Sequence, residues 1–252
     1  MEIFDSHTHL NDAPFRGKED VYLERAKELG VVKSAVAGQD PEFNERAINL
    51  SQRFDNLYAI VGYCPDVAKD YDQKAEDKLV EQLKEPKNVA LDYYWDESPR
   101  EVQRKVFARQ LDLAHSLKMP VNIHTRDAFE DTYQVLKDSH VGEYGGIIHN
   151  FNGDPEWLKK FLDLGMMVSF SGVVSFTKAV DVHASAKVVP WDKFLIETDA
   201  PYLTPKPYRG KQNETGYVRY VAEAIADLRG SSVEEVAKHT FENTMRAYGI
   251  RK

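Results

Sequence analysis

The sequence predicts an α/β protein of the (β/α)8 TIM-barrel class, one domain over residues 1–252. Three observations point there. Short β-like runs alternate strictly with helical runs, which implies a parallel sheet. Eight such pairs fit within 252 residues, a length at which parallel strands close into a cylinder. The first strand is not followed by the Gly-rich turn that the alternative, an open doubly wound sheet, usually carries.

The elements follow in order. "EIFDSHTHL" is the first strand, and "KEDVYLERAKELG" its helix, stopped at Gly30. "SAVAG" is the second strand; Asp40 then Pro41 is the favoured order of cap and first helical residue. "LYAIVGY" pairs with "DQKAEDKLVEQLKE". "NVALDYY" precedes a helix whose Val102, Val106, Phe107, Leu111, Ala114 and Leu117 form one buried face. "PVNIHTR" leads to "AFEDTYQVLKD". "GGIIHNF" leads to a helix capped by Asp154 and Pro155 and ending at Gly165. "MMVSFSG" precedes a weak helix over 178–187. "FLIETDAP" is the eighth strand; Val218, Val221, Ile225 and Leu228 mark the next helix, and "SVEEVAKHTFENTMRAYG" adds a last one.

Composition narrows the function. A net charge of −8 argues against a broad surface tracking duplex phosphates, but a local cationic pocket can override that sign. The single cysteine, Cys64, rules out an internal disulfide and fits a reducing compartment. Without a signal-peptide pattern or an apolar run of roughly 18 residues, the expectation is a cytoplasmic protein with no membrane association and no obligate protein partner.

The polar residues carry the chemistry. In a regular strand, Asp5, His7 and His9 share one face. Barrel active sites lie at the C-terminal strand ends, where His7, His9, His124, His149 and Asp199 all fall. A single histidine beside an apolar run reads as an ordinary core or surface residue, as do His115, His140, His183 and His239. Five ligand-type residues at strand ends converge only if the barrel closes, and their donor set suits a divalent ion such as zinc or manganese.

These segments together resemble the TatD family of metal-dependent hydrolases, within the amidohydrolase superfamily. The likeness covers nearly the whole chain through "DSHTHL", "LDYYWDESPREVQRKVFARQL", "PVNIHTRDAF", "GGIIHNF", "VSFSG", "ETDAPYLTPKPYRGKQNE" and "TFENTMRAY". The resemblance implies a deoxyribonuclease that removes nucleotides from DNA ends. It implies His7, His9, His124, His149 and Asp199 as ligands of one or two divalent ions (Zn, Mn or Mg). Three departures stand out. Family members usually read "VAIGEIGLDYYWD" where this chain reads "NVALDYYWD", so the Glu that bridges two metals is missing. Asp92 is the nearest replacement; strand parity points it outward unless a bulge turns it back. Cys64 replaces a usual His and reads as a small buried hydrophobe, with soft-metal ligation as the alternative. Thr215 stands where Pro is common.

The leading expectation is therefore a metal-dependent hydrolase acting on DNA ends or nucleotides. Asp199 holds metal and takes a proton from the attacking water. Arg126, Arg209 and Lys211, with Lys206, bind phosphate. Glu197 and Asp5 orient histidine ligands, and Asn150 and Asn213 are candidate substrate contacts. Two alternatives stay open: a single-metal amidohydrolase acting on an amide, ester or deaminase-type substrate, and a nucleotide-binding homologue impaired in catalysis.

Overall fold

The computed structural model describes residues 1–84, 88–90, 99–125 and 128–251, with 65, 66 and 88–90 described through their backbone. Strands and helices alternate: β1 (Ile3–Thr8), α1 (Glu19–Glu28), β2 (Val31–Ala37), α2 (Pro41–Arg53), β3 (Leu57–Ile60), α3 (Gln73–Leu83), β4 (Asn88–Ala90), α4 (Arg100–Leu117), β5 (Val121–Ile123), α5 (Phe129–Asp138), β6 (Gly146–Ile148), α6 (Pro155–Asp163), β7 (Met167–Phe170), α7 (Val180–Val188), β8 (Phe194–Ile196), α8 (Val218–Arg229) and α9 (Val233–Ala247). The strands pair in parallel in the orders β1-β2-β3-β4 and β5-β6-β7-β8. β4 lies beside β5 and β8 beside β1, so the two runs make one (β/α)8 barrel.

Local chemistry fixes the ends. The Asp40 carboxylate accepts from the Phe43 N–H, and Asp154 accepts from the Glu156 and Trp157 N–H groups, each with Pro next in the chain. Both caps satisfy amides that a helix start leaves without partners. Gly30 and Gly165 take φ of +85°, the left-handed turn that lets each helix feed the next strand. The strands are shorter than the apolar runs suggest. β8 stops at Ile196, and Glu197 to Pro201 leave the ladder to carry polar groups.

The barrel has two apolar layers. Ile3, Val36, Leu57, Ala59, Ile148, Val168, Phe194 and Ile196 point outward into the packing with the helices. Their alternates Phe4, Ala35, Ala37, Tyr58, Ile60, Ile147, Met167 and Leu195 fill the interior. Met245 and Tyr248, at the end of α9, belong to this inner group. The rings of Phe241 and Tyr248 lie 6.0 and 6.5 Å from Phe4, near the start of β1. The last helix therefore stops the N-terminal mouth of the barrel.

One irregularity corrects the sequence reading. β1 pairs with β2 as Asp5 with Ser34, then Thr8 with Val36, three residues against two. The extra residue is a bulge. It lets Ser6 and His7 both face inward while Asp5 faces out. Ser6 Oγ lies 3.1 Å from Ser169 Oγ of β7 and donates to Ile196 O. The Asp5 carboxylate instead accepts from Thr198 N at 2.8 Å, from Thr198 Oγ1 at 2.6 Å and from Thr215 Oγ1. With His9 N donating to Ala200 O and Asp199 N to His7 O, these bonds sew β1 to the segment after β8. Asp5 is thus a fastener of the closing seam rather than a partner of His7.

Candidate metal centre

Four strands deliver the polar cluster. His7 is the next-to-last residue of β1, with His9 just beyond the strand; His124 follows β5, His149 follows β6, and Glu197 and Asp199 follow β8. All six side chains belong to buried residues, the most accessible of them (His124 and Asp199) at 9%. Asp199 and Asn150 take left-handed φ values of +53° and +45°. For a non-glycine residue this costs on the order of 1 kcal/mol or more, and here it turns the chain so that the Asp199 carboxylate meets the histidines.

The distances test whether these groups fit an ion. His7 Nε2 and His9 Nε2 are 3.4 Å apart, and Asp199 Oδ1 lies 3.3 Å from His9 Nε2 and 3.7 Å from His7 Nε2. Ligand atoms about 2.0–2.1 Å from a tetrahedral ion stand roughly 3.3–3.4 Å from one another. The triad has the spacing of three corners of such a polyhedron. A second group capable of holding an ion combines His7, His149 and Glu197. His124 Nδ1 lies 2.8 Å from His149 Nε2, and the rings of His7 and His149 stack at 4.0 Å.

Electrostatics favours the same use. Burial, then the neighbouring imidazoles of His149, His9 and His124, hold His7 well below the ordinary histidine value of 6.5. A neutral ring keeps a lone pair for a metal. Glu197 Oε1 accepts from His149 Nδ1 at 3.1 Å and from Asn150 N at 2.8 Å, which orients the His149 ring. Its other oxygen is buried and has no hydrogen-bond partner among the described residues, as suits a carboxylate beside a cation. Burial pushes Asp5 up to about 7, against the pull of the Thr198 and Thr215 hydrogen bonds.

The other expected residues separate into groups. Asp92 and Arg126 lie outside the described residues, as does the rest of the shortened fourth strand beyond Ala90. Arg209 and Lys211 are exposed on the loop between β8 and α8, the loop that carries Asp199 near its start. The Arg209 guanidinium lies 4.0 Å from the Phe176 ring centre, and the Lys211 ammonium lies 5.6 Å from that of Tyr208. Lys206 Nζ donates to Thr177 Oγ1. Asn213 is fully buried; its Nδ2 donates to Thr198 O and Tyr202 O, so it braces this loop instead of facing a substrate. The Asn150 side chain accepts from Ser171 Oγ. Cys64 is buried and belongs to neither metal-capable group among the described residues. Thr215 gains a reason: its hydroxyl serves the Asp5 seam, which proline could not do.

Sequence reasoning passed over Asn122 and Tyr202. Asn122 accepts from His7 Nδ1 at 3.2 Å; the signal was an amide in the apolar strand "PVNIH", at the parity of His124. Tyr202 is 52% exposed, its ring 6.2 Å from that of His9 and its hydroxyl donating to Asp12.

Comparison with known proteins agrees with this geometry. Residues 4–249 match the family described as TatD related DNase. The chain is 39% identical over 253 residues to YabD of Bacillus subtilis, an uncharacterized metal-dependent hydrolase, covering 98% of this chain and 99% of that one. It is 36% identical over 261 residues to YcfH of Escherichia coli, described in the same words, covering 99% and 97%. Among solved structures, the TatD homologue YjjV of Escherichia coli superposes with a TM-score of 0.91 at 26% identity, covering 99% of this chain and 98% of that one.

Proposed function

Since the chain belongs to the TatD family of metal-dependent hydrolases, we propose that it is a divalent-metal-dependent phosphodiesterase that acts on DNA ends or nucleotides. The observation that carries this reading is the buried triad His7, His9 and Asp199, spaced 3.3–3.7 Å apart at the base of a loop bearing Arg209 and Lys211.

His7, His9 and Asp199 would hold one ion, and His124 and His149 would complete that site or, with Glu197, hold a second. When bound, the ion supplies Lewis acidity that brings the ionisation of water near neutral pH and polarises a phosphoryl oxygen. The protein's own groups do the rest. The Asp199 carboxylate takes the proton of the attacking water. Arg209 and Lys211, with Arg126, bind the phosphate that is cleaved or its neighbour. The low exposure of the histidines keeps bulk water away from their lone pairs.

A nuclease assay on single-stranded DNA with Mg, Mn and Zn tests the reading. Cleavage that depends on the added ion and is lost in Asp199→Asn is the expected result. No cleavage with any ion refutes it. The single-metal amidohydrolase keeps a place because His7, His9 and Asp199 by themselves make a group able to hold one ion, with the three protein ligands that a catalytic zinc site uses. Metal analysis separates the two: one tightly held ion, with turnover of amides or esters and none of DNA, selects the second reading.

A further inference from the structure

We propose that Tyr248 and Asn122 are positioning residues that fix the tautomer and the aim of the His7 ring. The inference rests on the reading above that His7 holds an ion through Nε2. It adds what makes that nitrogen available.

The Ser6 backbone carbonyl is a group that can only accept. The Tyr248 hydroxyl lies 2.7 Å from Ser6 O, a backbone carbonyl, and so donates its one proton there. Its oxygen must then accept along its other contact, 2.8 Å from the Asn122 amide, which identifies that atom as Nδ2. The remaining Asn122 atom is the carbonyl oxygen Oδ1, 3.2 Å from His7 Nδ1. An oxygen without a proton obliges His7 Nδ1 to carry one. The neutral ring then has its lone pair on Nε2, the atom 3.4 Å from His9 Nε2 and 3.7 Å from Asp199 Oδ1. Every link has one direction, set from the Ser6 carbonyl upward.

The fold makes this chain stiff. Asn122 is fully buried and Tyr248 is 4% exposed. Tyr248 stands at the end of α9, where Gly249 takes φ +63° and Ile250 N donates to Met245 O, a closed helix end. Its ring packs 6.5 Å from Phe4 in the stopped mouth of the barrel. The relay therefore ties the C-terminal block "TFENTMRAY" to a residue at the opposite end of the sequence.

The test uses the full chain stripped of metal, with variants Y248F and N122V and their combination. Three quantities are read: the 15N shifts of the His7 ring in metal-free protein, the affinity for Zn2+ in competition with a chelator, and the thermal midpoint of metal-free protein. Wild type should show His7 protonated on Nδ1. N122V should show a mixture of tautomers and bind Zn2+ about 10-fold to 100-fold more weakly. Y248F should shift both readouts the same way by a smaller factor. The double variant should bind Zn2+ no worse than N122V, because both changes break one chain. A purely structural role would lower the midpoint and leave the tautomer alone. Unchanged His7 shifts in both variants, or losses that add in the double variant, overturn the relay. If N122V does not fold, the Y248F shifts decide. Absence of Zn2+ binding by wild type would defeat the metal reading instead, while the metal-free shifts would still decide the relay.

Discussion

Asp5 offers a test of which force wins in the closing seam. Three donors aim at its carboxylate, which favours the ion, whereas complete burial favours the neutral acid; burial prevails and the group titrates at about 7. In the unfolded chain it titrates near its ordinary 3.8. Between those values the folded protein holds a proton that the unfolded chain has lost. Stability from this group is therefore greatest at low pH and falls as pH rises, by about 1.4 kcal/mol per unit until the slope flattens near pH 7, or about 2 kcal/mol from pH 5 to pH 7. His7 works the other way. Its folded value is depressed, so below its ordinary 6.5 the unfolded chain takes up a proton that the folded one refuses, and stability falls with acid. The raw pH profile sums both. Asp5→Asn isolates the first: its amide oxygen can still accept from Thr198 N, and the Thr198 and Thr215 hydroxyls can rotate to accept from its NH2. Urea unfolding of metal-free wild type and variant at pH 5, 6, 7 and 8 should give a stability difference, wild type minus variant, that declines by about 2–3 kcal/mol across the series, most of it below pH 7. A flat or rising difference would show that the three donors outweigh burial and would refute the reasoning.

Glu197→Gln keeps acceptors for His149 Nδ1 and Asn150 N but removes the charge; Zn2+ affinity should fall about 10-fold to 100-fold, and an unchanged affinity by chelator competition would contradict the role given to the orphaned oxygen. In Gly172→Ala the added Cβ would lie 1.8 Å from Leu203 O and 2.9 Å from Pro205 N, backbone atoms of the rim loop. A loss of about 1–3 kcal/mol or more is expected, and a thermal midpoint within a degree of wild type would contradict it. Tyr202→Ala should raise the KM for a nucleotide substrate by the roughly 1–3 kcal/mol that stacking of a base on an exposed ring provides, with Tyr202→Phe close to wild type; equal KM values for all three would remove Tyr202 from the substrate's path.

The fold was legible because its signals are local. Asp–Pro pairs at residues 40–41 and 154–155 and glycines at 30 and 165 mark helix boundaries by chemistry that acts within a few residues. The histidine cluster was legible because strand ends in a barrel share one rim. What stayed hidden depends on contacts between distant segments. The bulge in β1 arises from pairing with β2, so parity counted along the sequence put Asp5 with His7, and only the register separates them. Glu197 was expected beside a histidine and lies beside His149. Tyr248 closes the resemblance block "TFENTMRAY" but gave no sign of its role, because its partners Asn122 and Ser6 are more than a hundred residues away.

The plug formed by α9 makes the barrel a blind well. Within the cluster, the side chains of His9 and Asp199 are 9% and 12% exposed, while those of His7, His149 and Glu197 are 0–3% exposed. Among the described residues, the outer members His9, His124 and Asp199 are the cluster's way to solvent, with Tyr202 beside His9. An occupant lodged there bars the exit of whatever lies beneath it, so chelators should strip the ion far more slowly from protein saturated with a non-hydrolysable substrate analogue than from the empty vessel.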